Sequence, residues 1–108
     1  MSNFININQS NFQEVLSTKD KLVLVEASAP WCGACKSLDS ILRVISVDYP
    51  DKVIAGILDV DQNPKLIDDL KIMSVPTIIV FQDNQEKKRI FGAVSKTELL
   101  KELNIKPK

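Results

Sequence analysis

The chain has 108 residues, 14 basic and 14 acidic side chains, no histidine, and two cysteines, Cys32 and Cys35. That length and a 44% hydrophobic content fit one ordinary core and argue against disorder, while zero net charge gives no field to draw the chain onto nucleic acid or an anionic membrane. Without histidine there is no Ser/His/Asp triad, no Cys/His nucleophile pair and no imidazole metal ligand, and two cysteines make neither a disulfide-dense scaffold nor a closed four-ligand zinc site.

Asn3 to Ile7 reads as a short strand. Ser10 follows as an N-cap with Gln13 at the capping-box spacing, and Phe12, Val15 and Leu16 mark one helical face. Leu22 to Val25 is a continuous β-favouring run, the pattern of a central strand buried on both faces. After Pro30 to Gly33 the apolar spacing becomes Leu38, Ile41, Leu42 and Ile45, one side of a helix from about Cys32 to Tyr49 that Pro50 ends. Val53 to Val60 is the next strand, so the first half is β-α-β-α-β with parallel strands and right-handed crossovers. Asn63 as cap and Pro64 at the first helical position start a short helix through Leu70. Thr77 to Phe81 and Lys87 to Phe91 are strands joined by a polar turn, Gln82 to Glu86, which makes them an antiparallel hairpin. Ser95 caps a last helix with Glu98 at the box position, and Leu99, Leu100 and Leu103 supply its buried stripe. The sum is an α/β fold, a central mixed β-sheet of about five strands flanked by about four helices, in one domain over residues 1–108. Phe12, Leu24, Leu42, Phe81 and Leu99 belong to its core.

Residues 1–10 carry no positive charge and no apolar stretch of signal-peptide length. The longest apolar runs, Leu22 to Val25 and Ile78 to Phe81, are four residues each, against about 18 for a membrane span. A cytoplasmic protein with no membrane or nucleic-acid partner is expected.

Cys32 and Cys35 sit where a buried strand gives way to a helix. A thiolate there faces unpaired backbone N–H groups and the positive end of the helix dipole, so ionised Cys32 is favoured and Cys32 is the candidate nucleophile. Cys35, one turn later on the same side, is close enough to form a disulfide with Cys32 or to attack a mixed disulfide there. Gly33 keeps the approach to the sulfur open, and Trp31 offers an apolar wall. Two other readings of the pair stand beside this one: two small buried hydrophobes, or a shared site in which two chains pool four thiolates around zinc or an iron–sulfur cluster. Glu26 directly follows four apolar strand residues, where burial would raise its pKa and make it a proton carrier, unless it turns outward at the strand end. Val75-Pro76 stands just before a strand, where proline fixes the backbone and removes a donor. The three glycines, Gly33, Gly56 and Gly92, cannot make a flavin or nicotinamide fingerprint.

Trp31-Cys32-Gly33-Ala34-Cys35-Lys36, Asp61-Gln62-Asn63-Pro64, Val75-Pro76-Thr77 and Phe91-Gly92-Ala93, at their mutual spacings, resemble the thioredoxin family over essentially the whole chain. The resemblance implies the thioredoxin fold and a monomeric dithiol enzyme that reduces disulfides of client proteins through Cys32 and Cys35. It implies no cofactor and no metal, with electrons supplied by a separate thioredoxin reductase. By the same resemblance Glu26 stands for a buried aspartate that takes the proton of the resolving thiol, and the Val75–Pro76 bond is cis. Trp31, Gly33, Ala34, Val60, Val75, Pro76, Gly92 and Ala93 would then meet the client, with the Val75 backbone pairing to it. Ala34 replaces the usual proline between the cysteines, which implies a somewhat less reducing couple and leaves open a dedicated or more oxidising exchange protein. A noncatalytic interaction module that ignores its thiols is the alternative from another class.

Further departures are Ser40 for a helix-kinking proline, Ser28 for an aromatic, Asn84 for a turn glycine, and Ile57 for a lysine beside the family's buried acid, which should raise the Glu26 pKa further if Glu26 is buried. Lys36 is expected to be solvated, adding at most modestly to thiolate stability. The zero net charge conceals an imbalance: residues 87–108 hold seven basic and two acidic side chains, leaving the first 86 with seven and twelve. Lys87, Lys88 and Arg89 most simply protect an edge strand from pairing, with selection of a partner's docking face as the alternative.

Overall fold

β1 (Phe4–Ile7), α1 (Phe12–Leu16), β2 (Leu22–Ser28), α2 (Gly33–Asp48), β3 (Val53–Asp59), α3 (Pro64–Asp69), β4 (Thr77–Gln82), β5 (Gln85–Phe91) and α4 (Lys96–Glu102) follow one another along residues 4–107, the part of the chain that this computed structural model describes. The expected strand start at Asn3 lies outside the described residues. The strands form one mixed sheet in the order β1-β3-β2-β4-β5. β2 is central, parallel to β3 and antiparallel to β4, while β1 extends the parallel side and β5 the antiparallel side.

Side-chain alternation along the strands divides the core in two. Leu24, Ala55, Ile78 and Val80 pack with Leu38, Leu42 and Ile45 of α2 and Leu99 of α4. Val23, Val25, Leu58, Ile79 and Phe81 pack on the other face with Phe12 and Val15 of α1 and Leu66 of α3. Because both faces are covered, β2 and β4 need apolar residues at successive positions, the reason their sequences read as unbroken runs. Phe12, Leu24, Leu42, Phe81 and Leu99 are all buried, with the rings of Phe12 and Phe81 edge to face at 5.9 Å. β1 lies so close to β3 that a Cβ at Gly56 would stand 2.6 Å from the carbonyl oxygen of Ile5.

Several boundaries differ from the sequence expectation, each for a local reason. Asn11, not Ser10, is the N-cap of α1. Asn8 Oδ1 accepts from the amides of Ser10 at 2.8 Å and Asn11 at 3.1 Å, and Asn11 Oδ1 accepts from the Asn8 amide at 2.8 Å, so an asparagine-built turn displaces the capping box. β2 continues past Val25 to Ser28, which carries Glu26 into the sheet. β3 stops at Asp59, although the Val60 amide still donates to Ser28 O at 2.9 Å. The hairpin turn is only Asp83 and Asn84, with φ of 53° and 65°, the two left-handed residues of a tight two-residue loop. β5 therefore begins at Gln85 rather than Lys87, and a register shift opposite Val80 and Phe81 leaves Lys87 as a bulge residue.

Asn63 occupies the cap position of α3 without a side-chain cap bond. Its side chain instead donates to Asp59 O at 2.9 Å and accepts from the Gln9 amide at 3.2 Å, joining two loops. Ser95 caps α4 as expected, its Oγ accepting from the Glu98 amide at 3.1 Å. α2 is one unbroken span with Ser40 at its middle, the Ser40 hydroxyl donating to Lys36 O at 3.3 Å.

Candidate active site

The carboxyl end of β2 delivers the chain to α2, and Cys32 is the residue at which extended backbone becomes helix, with φ −99° and ψ 108°. Its Sγ accepts from the Cys35 amide at 3.2 Å, so the sulfur fills the role a serine or aspartate oxygen usually fills at an N-cap. Cys32 and Cys35 are joined by a disulfide across Cα atoms 5.3 Å apart. Cys35 is fully buried, whereas Cys32 keeps 8% of its surface, so an approaching sulfur meets Cys32 first. Ala29 is buried against the pair, and Val60 and Val75 pack on it.

Val75–Pro76 is a cis peptide bond. The Gly92 amide donates to Pro76 O at 2.9 Å, which sets the end of β5 beside the proline; Gly92 has φ 80°, and exposed Ala93 follows it. Gly33 and Ala34 are exposed in the first turn of α2, and the space where a Gly33 Cβ would lie is open. Trp31 is 69% exposed and held by one bond, Nε1 donating to Asp61 Oδ2 at 2.9 Å. Asp61 is placed in turn by Asp59 Oδ1, which accepts from its amide at 2.8 Å. Trp31, Val60 and Val75 line a groove of about 240 Å³ together with Ile67, Ile72 and Met73. The last three were not singled out from the sequence; the available signal was an apolar pair, Ile72-Met73, in a loop just ahead of Val75-Pro76.

Glu26 faces inward, fully buried between Ile57 of β3 and Ile78 of β4 on the sheet face that α2 covers. No donor meets either of its carboxyl oxygens. Burial pushes its pKa from 4.5 up to about 10, and the nearby Asp39 carboxyl adds to the rise by favouring a proton on Glu26 through hydrogen bonding and charge. Where the family pattern suggested a lysine there is Ile57, and the charged neighbour is an acid on α2. Asp39 was absent from the sequence reading, although its position four residues after Cys35 puts both on one side of the helix.

A helix-capping sulfur that keeps some exposed surface, disulfide-bonded to a fully buried one just beyond a strand that itself carries a buried carboxyl, defines a thiol–disulfide oxidoreductase. A sequence model of the thioredoxin family matches residues 3–105. The thioredoxin of Mycobacterium tuberculosis (strain ATCC 25618 / H37Rv) is 37% identical over 100 residues, covering 93% of this chain and 86% of its own. That of Buchnera aphidicola subsp. Acyrthosiphon pisum is 37% identical over 99 residues, covering 92% of each. The bifunctional thioredoxin reductase/thioredoxin of Mycobacterium leprae is 41% identical over 95 residues, which are 88% of this chain and 20% of that longer protein. The chain belongs to the thioredoxin family. Among the described residues no group of three or more His, Cys, Asp or Glu is placed to hold a metal ion, and no helix is long and apolar enough to cross a membrane.

Proposed function

We propose that this chain reduces disulfides in client proteins, with Cys32 attacking and Cys35 resolving. The observation that carries the reading is the contrast between the two cysteines, one at a helix N-terminus that keeps a small exposed surface and the other wholly buried. The Cys32 thiolate attacks one sulfur of the client disulfide, breaking that bond and forming a mixed disulfide. The Cys35 thiolate then attacks the Cys32 sulfur, closing the Cys32–Cys35 disulfide and expelling the client's first sulfur as a thiolate. Two electrons pass to the client, and the protein dithiol is oxidised.

The client lies across Trp31, Gly33, Ala34, Val60, Val75, Pro76, Gly92 and Ala93, with the Val75 backbone pairing to an extended client segment. Glu26 serves the proton of Cys35. A thioredoxin reductase returns the electrons, a reading supported by the relative whose name joins the two activities in one chain. Residues 1–108 act as one domain, monomeric and cytoplasmic, without a bound cofactor. Ala34 makes the couple somewhat less reducing than the proline form would be. The test is reduction of a model protein disulfide by the reduced chain, with the Cys32/Cys35 equilibrium measured against glutathione. Cys32→Ser is expected to abolish turnover, and a serine variant that keeps full activity overturns the mechanism.

A further inference from the structure

Glu26 as Cys35's proton group, the reading on which this inference rests, meets a difficulty of proton number. A carboxyl that burial keeps protonated at neutral pH has no vacancy for the proton Cys35 must lose before it can resolve a mixed disulfide. A carboxylic acid can still pass a proton along, accepting at one oxygen while donating from the other, provided a second base receives what it donates.

Asp39 is placed to be that base. It lies one helical turn beyond Cys35 on α2, and no other group of the fold donates to its buried Oδ1 or to either oxygen of Glu26, which leaves the two carboxyls to share a proton between them. The rest of the residue is half-buried and opens on a crevice of about 210 Å³ lined also by Ser28, Pro30, Lys36, Ile57 and Asp59. Ile57, which lines the crevice, is also the β3 partner of Glu26, so the crevice wall is one strand position from the buried acid. The strand neighbours on either side, Ile57 and Ile78, offer no competing proton acceptor. Lys36 of α2 and Asp59 of β3 are the other charged side chains that line the crevice with Asp39.

We propose that Asp39 is the outlet of a two-carboxyl proton relay: as Cys35 ionises, its proton passes to one oxygen of Glu26 while Glu26's own proton passes to the Asp39 carboxylate and on to water in the crevice. Cys35 thiol, Glu26 acid and Asp39 carboxylate become Cys35 thiolate, Glu26 acid and Asp39 acid. No electron moves in this step; electrons move only in the sulfur exchange that follows. When an external dithiol opens the Cys32–Cys35 disulfide, the relay runs inward and protonates the departing Cys35 thiolate. Asp39 touches no client and is a positioning residue for the proton.

The test mixes the reduced full-length chain with a small aromatic disulfide that releases a coloured thiolate at each exchange, so that the second release reports resolution by Cys35. Parent, Asp39→Asn, Asp39→Glu, Glu26→Gln and the double variant Glu26→Gln/Asp39→Asn are followed from neutral to alkaline pH. Asp39→Asn is expected to slow resolution by at least about tenfold at neutral pH, with the deficit closing as the solution becomes alkaline and Glu26 ionises by itself. Asp39→Glu restores the rate, and the double variant is no slower than the slower single one. An Asp39 that merely raises the Glu26 pKa predicts the opposite sign, because removing its charge makes Glu26 a readier base. An unchanged or faster Asp39→Asn alongside a slow Glu26→Gln therefore overturns the relay and leaves the role of Glu26 standing. A Glu26→Gln protein that resolves at the parent rate removes that role and the relay together. If Asp39→Asn does not fold, Asp39→Ala is read in the same way.

Discussion

Fully buried Glu26 ties the stability of the fold to pH as well as serving the sulfurs. Its pKa is 4.5 in the ordinary solvated state and about 10 in the folded one, so between those values the folded chain holds one proton more than the unfolded chain. The stabilisation is fully present below about 4.5 and is lost as pH rises toward 10, at up to about 1.4 kcal/mol per pH unit. Glu26→Gln is expected to flatten that slope and to gain most over the parent on the alkaline side. Denaturant unfolding of both proteins at several pH values checks this, and parallel curves refute it. The sequence favoured burial of Glu26, because four apolar residues precede it and Ala27 follows, but left open an outward turn at the strand end. Asp39 was not legible, because periodicity ranks a helix acid beside Leu38 as solvent-facing, and only the packing of α2 over β2 reveals what it approaches.

At the scale of elements, strand and helix identities followed from hydrophobic period, while their ends were set by turn chemistry that the period does not encode. The α1 N-terminus went to Asn8 and Asn11 because two short amide side chains satisfy the turn's donors sooner than Ser10 and Gln13 could. The β4–β5 turn shrank to two residues because Asp83 and Asn84 both tolerate positive φ. Asn84→Val is expected to cost about 1–2 kcal/mol, since a β-branched residue is strained there, whereas Asn84→Gly is neutral or slightly stabilising. Equilibrium unfolding separates the two, and equal effects would refute the conformational account. Gly56→Ala is expected to cost more than about 2 kcal/mol, because the added methyl meets the Ile5 backbone oxygen and β1 must move away from β3. Amide exchange localised to β1 is the accompanying sign, and an alanine variant with unaltered β1 protection would contradict it.

For the whole molecule, the disulfide spans a sequence separation of only three residues, so it restrains the unfolded chain little. A loop that short is worth about 2 kcal/mol in the chain-entropy account, against a two-sided core in which β2 and β4 are almost wholly buried. Reduction is therefore expected to lower the melting temperature by on the order of 10 °C while leaving one cooperative transition. Calorimetry with and without reductant decides it, and loss of cooperative unfolding would refute it. The ion pairs Lys88–Glu102 and Lys96–Asp48, which tie α4 to β5 and α2, are both well exposed and contribute little to that stability. The excess of basic residues from 87 onward leaves Lys87 and Lys88 exposed along edge strand β5, where their charge opposes pairing with another sheet.

Because the Cys32 sulfur is also the acceptor that closes the first turn of α2, a backbone amide is wired to the reacting atom. The N–H of Cys35 thereby becomes a built-in spectroscopic reporter. Its magnetic resonance frequency responds to the charge and bonding of that sulfur, so thiolate, mixed disulfide and closed disulfide are expected to give separate signals from the main chain, with no dye or label on a client.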